Sequence, residues 1–125
     1  MPFLGQLALV TFGAAFGGVL RYFVSGFIGR RIGEAFPWGT LIVNVTGAFA
    51  IGAMAAIVRG PISDAWLFWV TGLLGAYTTV SSFSLQTLAL AREGAPRQAL
   101  NNVAFSVAFS LAGAALGYAL AAAAL

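Results

Sequence analysis

The residues of this chain that could do chemistry are neutral hydrogen-bond donors set inside apolar sequence. Thr40 and Asn44 are four residues apart, a spacing that puts both on one face of a helix. Asn102, Ser106 and Ser110 repeat that spacing further along. Between these two groups lies the densest polar set: Thr71, Tyr77, Thr78, Thr79, Ser81, Ser82, Ser84, Gln86 and Thr87. Hydroxyl and amide donors without fixed charge suit a small anion, because they replace part of its water shell without holding it too tightly to leave. The same groups also make hydrogen bonds between helices. For a single Ser or Thr that plainer role has the stronger claim, whereas for Asn44 the anion role leads, because a buried amide is costlier to satisfy.

Other chemistries lack their parts. The chain has no His, Lys or Cys. Without Cys there is no disulfide, thiolate metal site or cysteine nucleophile, and none of the seven serines has a base to activate it. These gaps argue against an enzyme. Proton relays inside membranes use Asp, Glu or His, and the apolar stretches hold none of them. The same gap argues against the small multidrug exporters, four-helix proteins of similar length that depend on an acidic residue in the first helix. The only charge in that stretch here is Arg21.

The elements that must position these donors follow from composition. Of 125 residues, 61% are hydrophobic and 7% charged, against about 25% charged in an ordinary soluble domain. That excludes a soluble or a disordered protein and points to an integral membrane protein. The six arginines form no cluster longer than two, so the dense basic patch of a nucleic-acid binder is missing. A spanning helix needs about 20 apolar residues, and four stretches qualify, at about 3–28, 38–58, 65–91 and 99–125. Three short polar breaks separate them, each containing Gly and Pro, and every formal charge except Arg21 falls in these breaks. The expected fold is therefore all-α, one membrane domain over residues 1–125, with the N-terminal stretch retained as a helix rather than cleaved.

Two details refine that picture. Small residues recur at four-residue spacing: Gly13 and Gly17, then Ala48, Gly52 and Ala56, then Gly113 and Gly117. In lipid such residues let helix backbones approach closely, mostly within one chain. Four helices packed this tightly leave no internal water-filled path, so a conduction path is expected between subunits, with a dimer as the smallest assembly. The segment Gly72-Leu73-Leu74-Gly75-Ala76-Tyr77-Thr78-Thr79 is a poor helix. A break there is expected to be buried in protein or to line a cavity, and broken helices expose carbonyl oxygens that bind ions.

Three motifs resemble the Fluc/CrcB fluoride channels over essentially the whole chain. They are Gly17-Gly18-Val19-Leu20-Arg21-Tyr22, Trp38-Gly39-Thr40-Leu41-Ile42-Val43-Asn44-Val45-Thr46-Gly47, and the run Thr71–Ser84 that contains Gly75-Ala76-Tyr77-Thr78-Thr79-Val80-Ser81-Ser82-Phe83-Ser84. The resemblance implies four transmembrane helices with a break in the third, in an antiparallel dual-topology homodimer of the inner (plasma) membrane with two fluoride pathways. It implies a structural sodium ion at the dimer interface, held by the main-chain carbonyls of Gly75 and Thr78 from both subunits. Pathway residues carried over are Asn44, Phe83, Ser81 and Ser84, with Asn102, Ser106 and Ser110 as a polar track. Thr40 sits where a pathway hydroxyl is expected, and Arg21 is expected at a vestibule, near the membrane boundary, with its head snorkelling into water.

The sequence departs from that family in two places. The family usually carries two phenylalanines three apart in the third helix, whereas this chain has Val80 and Phe83. The loops are also biased: Arg30, Arg31, Arg92 and Arg97 fall on one side and Arg59 on the other, a distribution that orients a chain by the positive-inside rule. An alternative role is therefore a non-conducting or half-functional subunit of a heteromeric channel, needed for assembly.

Overall fold

The computed structural model describes residues 2–125. Among the described residues all regular structure is helical. Helix α1 is Phe3–Ile32 and α2 is Trp38–Ile57. The third apolar stretch forms two helices, α3 (residues 64–77) and α4 (Ser81–Arg92). Helix α5 is Pro96–Ala124. Of these, α1, α2 and α5 are each long and apolar enough to cross a membrane.

Two boundaries differ from the sequence expectation. Helix α1 runs four residues beyond the expected end, taking in Arg30 and Arg31 as its last turn, where the helix dipole favours cations. It ends at Gly33, whose φ of 99° is a conformation that side chains disfavour. Helix α5 starts three residues early, at Pro96, because a proline in the first turn sacrifices no intrahelical hydrogen bond.

The break in the third stretch also differs in place and cause. It was expected across Gly72–Thr79, but the chain stays helical through Tyr77 and leaves the helix only at Thr78, which is extended with φ −80° and ψ 158°. From Leu67 to Leu74 the helix is wound as a π-helix, between short α-helical turns Asp64–Trp66 and Gly75–Tyr77. The wider π turn belongs to a close crossing with α1. A Cβ on Gly72 would sit 2.7 Å from the Val10 carbonyl oxygen, and one on Gly13 would sit 3.0 Å from the Leu73 nitrogen. Gly17 faces the Leu73 backbone even more tightly. These glycines serve helix contact, and the helix continues through them.

The other main contact is α2 along α5. Gly52 lies against the Ala114 carbonyl and Gly117 against the Phe49 carbonyl, both too close for any Cβ. The small-residue spacings read from the sequence therefore serve packing within the chain. Val43, Val70, Leu74 and Tyr77 form the buried apolar cluster between α2 and α3. Outside it many large apolar side chains are exposed, including Phe12, Phe16, Val19 and Phe23 of α1 and Val107, Leu111 and Leu116 of α5. In water such a surface would drive aggregation. In a bilayer it is the face that meets lipid.

Candidate functional site: the break between α3 and α4 and its cavities

The break at Thr78–Val80 is held from outside its own helix. Asn44, on α2, donates from Nδ2 to the Thr79 carbonyl at 2.9 Å, and Thr79 N–H donates to Asn44 Oδ1 at 2.8 Å. The side-chain amide thus pairs with both backbone groups of one residue, as a neighbouring strand would. Thr79 Oγ1 accepts from Ser82 N–H at 3.1 Å and caps the start of α4. Thr78 Oγ1 turns back to the Leu74 carbonyl at 3.0 Å. From α1, Arg21 Nη1 reaches the Thr78 carbonyl at 3.5 Å. On the other flank Tyr77 Oη and Thr46 Oγ1 are 3.0 Å apart.

These bonds leave two carbonyls without their helical donors. In an unbroken helix the Gly75 carbonyl accepts from Thr79 N–H and the Thr78 carbonyl from Ser82 N–H. Here both N–H groups are taken by side-chain oxygens, Asn44 Oδ1 and Thr79 Oγ1. Gly75 is exposed at the chain surface. Main-chain oxygens of this kind suit a hard monovalent or divalent cation. They fit the two carbonyls that the family resemblance implies, with the Thr78 oxygen shared with Arg21.

Three cavities open around the break. One, of about 430 Å³, is lined by Asn44, Thr78, Val80, Phe83, Ser106 and Ser110 among others. A second, of about 390 Å³, joins Arg21, Tyr22 and Ser25 of α1 to Thr40, Thr79 and Ser82. The third, of about 490 Å³, runs from Thr40, Ser82 and Gln86 to Glu34 and Glu93 at the end of the bundle. Gln86 lines this cavity, and its Oε1 is buried without a hydrogen-bond partner in the protein. Phe83 is half-buried at its cavity, while Val80 is 76% exposed.

The residues expected from sequence are thus sorted. Asn44, Phe83, Ser106 and Ser110 share one cavity, and Thr40 and Arg21 share the next. Arg21 lines a cavity, and its head turns to the break at Thr78 rather than snorkelling away along the helix. Ser81 and Ser84 are exposed on α4 and line none of these three cavities. Asn102 is 1% exposed and bonded: Nδ2 donates to Thr87 Oγ1 at 2.8 Å, and Ser106 Oγ donates to Asn102 Oδ1 at 3.4 Å. In this chain Asn102 ties α5 to α4, and the cavity wall begins one turn later at Ser106.

Thr79, Ser82, Tyr22 and Ser25 were not singled out from sequence. Thr79 and Ser82 stood in the polar run, but only their long-range partners distinguish them from the other hydroxyls beside them. Tyr22 and Ser25 flank Arg21 on α1 at a spacing that carries no signal of its own.

Comparisons with known proteins identify the family. Residues 8–118 match the family described as CrcB-like protein, Camphor Resistance (CrcB). A protein of Bradyrhizobium diazoefficiens named Fluoride-specific ion channel FluC 2 is 57% identical over 122 residues, covering 94% of this chain and 88% of its own length. One of the same name from Rhodopseudomonas palustris is 58% identical over 118 residues, 90% of each chain. Fluoride-specific ion channel FluC of Rhodospirillum rubrum is 49% identical over 115 residues, 87% of this chain and 88% of its own. With its polar helix break, its apolar outer faces and these relatives along nearly its whole length, the chain is a multi-pass membrane protein of the CrcB family.

Proposed function

We propose that this chain is a fluoride-selective channel that lets fluoride leave the cell passively. It works as an antiparallel, dual-topology homodimer of four-span subunits in the inner (plasma) membrane. The observation that carries the proposal is the gathering of Asn44, Phe83, Ser106 and Ser110 on one cavity, in a chain whose relatives are named for fluoride conduction.

Fluoride is small and strongly hydrated, so passage requires substitutes for lost water. Arg21 supplies positive charge at the cavity it shares with Thr40 and Ser82, which raises the local concentration of anions. Beyond it, Asn44 uses one Nδ2 proton on Thr79, and its second is left to face an ion. Ser110 offers a hydroxyl on the same wall, and Ser106, one helical turn before it, does so by giving up its 3.4 Å bond to Asn102 Oδ1. The ring edge of Phe83 carries the positive part of an aromatic quadrupole and faces a dehydrating anion without a charge that would trap it. Ser81 and Ser84 are exposed on the single chain and complete the pathway against a second copy.

The main-chain carbonyls of Gly75 and Thr78, from both subunits, are the groups that would hold sodium at the two-fold axis. Their release from helical hydrogen bonding supports this role. When bound, the ion supplies a fixed positive charge near the pathways. Purified chain reconstituted in fluoride-loaded liposomes tests the function. Efflux well above that of empty vesicles is expected. Background efflux from vesicles holding folded dimer would overturn the proposal and leave the chain as a non-conducting partner subunit.

A further inference from the structure

We propose that Asn44 is a positioning residue that creates the cation site: by taking Thr79 N–H it releases the Gly75 carbonyl from the helix. The inference rests on the sodium reading above. It assigns to Asn44 a second task, separate from contact with the anion.

Nothing in the local sequence is strong enough to make this break. Thr78, Thr79 and Val80 all have negative φ, and no cis peptide or glycine interrupts them. β-Branched residues weaken a helix only slightly. Thr79 is buried, and leaving a buried N–H unsatisfied costs more than that preference. Left alone, Thr79 N–H would therefore return to the Gly75 carbonyl and the helix would close. Asn44 Oδ1 prevents this at 2.8 Å, and Asn44 Nδ2 satisfies the Thr79 carbonyl at 2.9 Å, so both backbone groups of the displaced residue are paired. One side chain on α2 thereby holds both backbone polar groups of Thr79, the residue at which the helix breaks. Thr79 Oγ1 then takes Ser82 N–H and releases the Thr78 carbonyl in turn.

The test separates cation binding from conduction. The unfolding midpoint of the detergent-purified dimer is followed as sodium replaces N-methylglucamine, for the parent, Asn44→Leu and Asn44→Asp. Anything that binds the native state alone raises its stability with concentration, so the sodium needed for half-maximal stabilisation reports the site. In Asn44→Leu, releasing each Gly75 carbonyl means breaking a backbone hydrogen bond. The net strength of such a bond corresponds to roughly a two- to tenfold factor in affinity, or roughly four- to a hundredfold for two symmetric carbonyls. Asn44→Asp keeps an oxygen on Thr79 N–H. It should retain the parent's sodium response within about twofold while losing fluoride efflux, because a carboxylate repels the anion.

A parent whose midpoint ignores sodium would overturn the sodium reading and this inference together. A parent that responds, with an Asn44→Leu dimer that responds at the same sodium concentration, would overturn the inference alone. If Asn44→Leu does not elute as a dimer, Asn44→Asp decides: a parent-like response supports the clamp, and a shift beyond tenfold refutes it.

Discussion

Replacing Phe83 with Ile isolates what the ring edge contributes. Phe83 is half-buried at the cavity it shares with Asn44, Ser106 and Ser110, and its neighbour on that wall, Val80, presents no ring. Its backbone is independently tied, since the Phe83 carbonyl accepts from Thr87 Oγ1 at 2.7 Å. Helix α4 should therefore keep its place. A roughly volume-conserving apolar swap costs less than about 1.5 kcal/mol, here on a side chain that is only partly buried. If the edge stabilises a passing anion as much as aromatic edges stabilise each other, the lost contact is about 0.5–1.5 kcal/mol. At a tenfold change in rate per 1.4 kcal/mol, efflux falls roughly two- to tenfold. Val80→Phe adds a ring to the same cavity, and efflux should hold or rise. The assay is paired: elution on a sizing column, then fluoride efflux from liposomes at matched protein density. A Phe83→Ile protein that elutes as the parent does and conducts at the parent's rate would show that the ring only packs.

Arg21→Gln should lower efflux several-fold at about 10 mM salt and much less at about 1 M, because the reach of a charge shrinks from about 30 to about 3 Å over that range; a ratio to parent that is flat across salt would exclude an electrostatic role. Asn102→Leu should destabilise the protein by about 1–2 kcal/mol, since it strips partners from Thr87 and Ser106 between α4 and α5. Efflux per folded dimer should be retained, and thermal unfolding read beside liposome flux would expose a direct pathway role if flux alone collapsed. Gly52→Val should abolish folded protein in detergent, because its Cβ has no room against the Ala114 backbone, whereas Gly18→Ala, with open space around its Cβ, should elute as the parent does.

Much of this protein was legible in the order of its residues. A chain that is 61% hydrophobic and 7% charged, with all its charges but Arg21 collected in six-to-nine-residue breaks between apolar runs of about 20 residues or more, reads as helices in lipid, where every backbone group must be satisfied internally. The four-residue spacing of Gly52 with Ala56, and of Gly113 with Gly117, pointed to close helix contact, and Gly52 and Gly117 make such contacts between α2 and α5. Thr40 with Asn44, and Ser106 with Ser110, were legible as shared faces because helical periodicity is local.

What only the tertiary structure decided was which polar groups are occupied by each other. Sequence alone marked Gly72–Thr79 as weak helix, yet both its glycines are helical, Gly72 is pressed against α1, and the chain breaks where Asn44 on another helix captures Thr79. Asn102 and Ser106 look equivalent on a helical wheel, but Asn102 meets Thr87 of α4 and Ser106 meets a cavity. Arg21 could have extended to either end of its helix, and it bends to the Thr78 carbonyl. Propensity and periodicity act over one or two turns, while a buried hydrogen bond joins residues 35 or 57 positions apart. In an environment without water each such pairing outweighs the local preferences of several residues, so the spans could be read along the chain and the site could not.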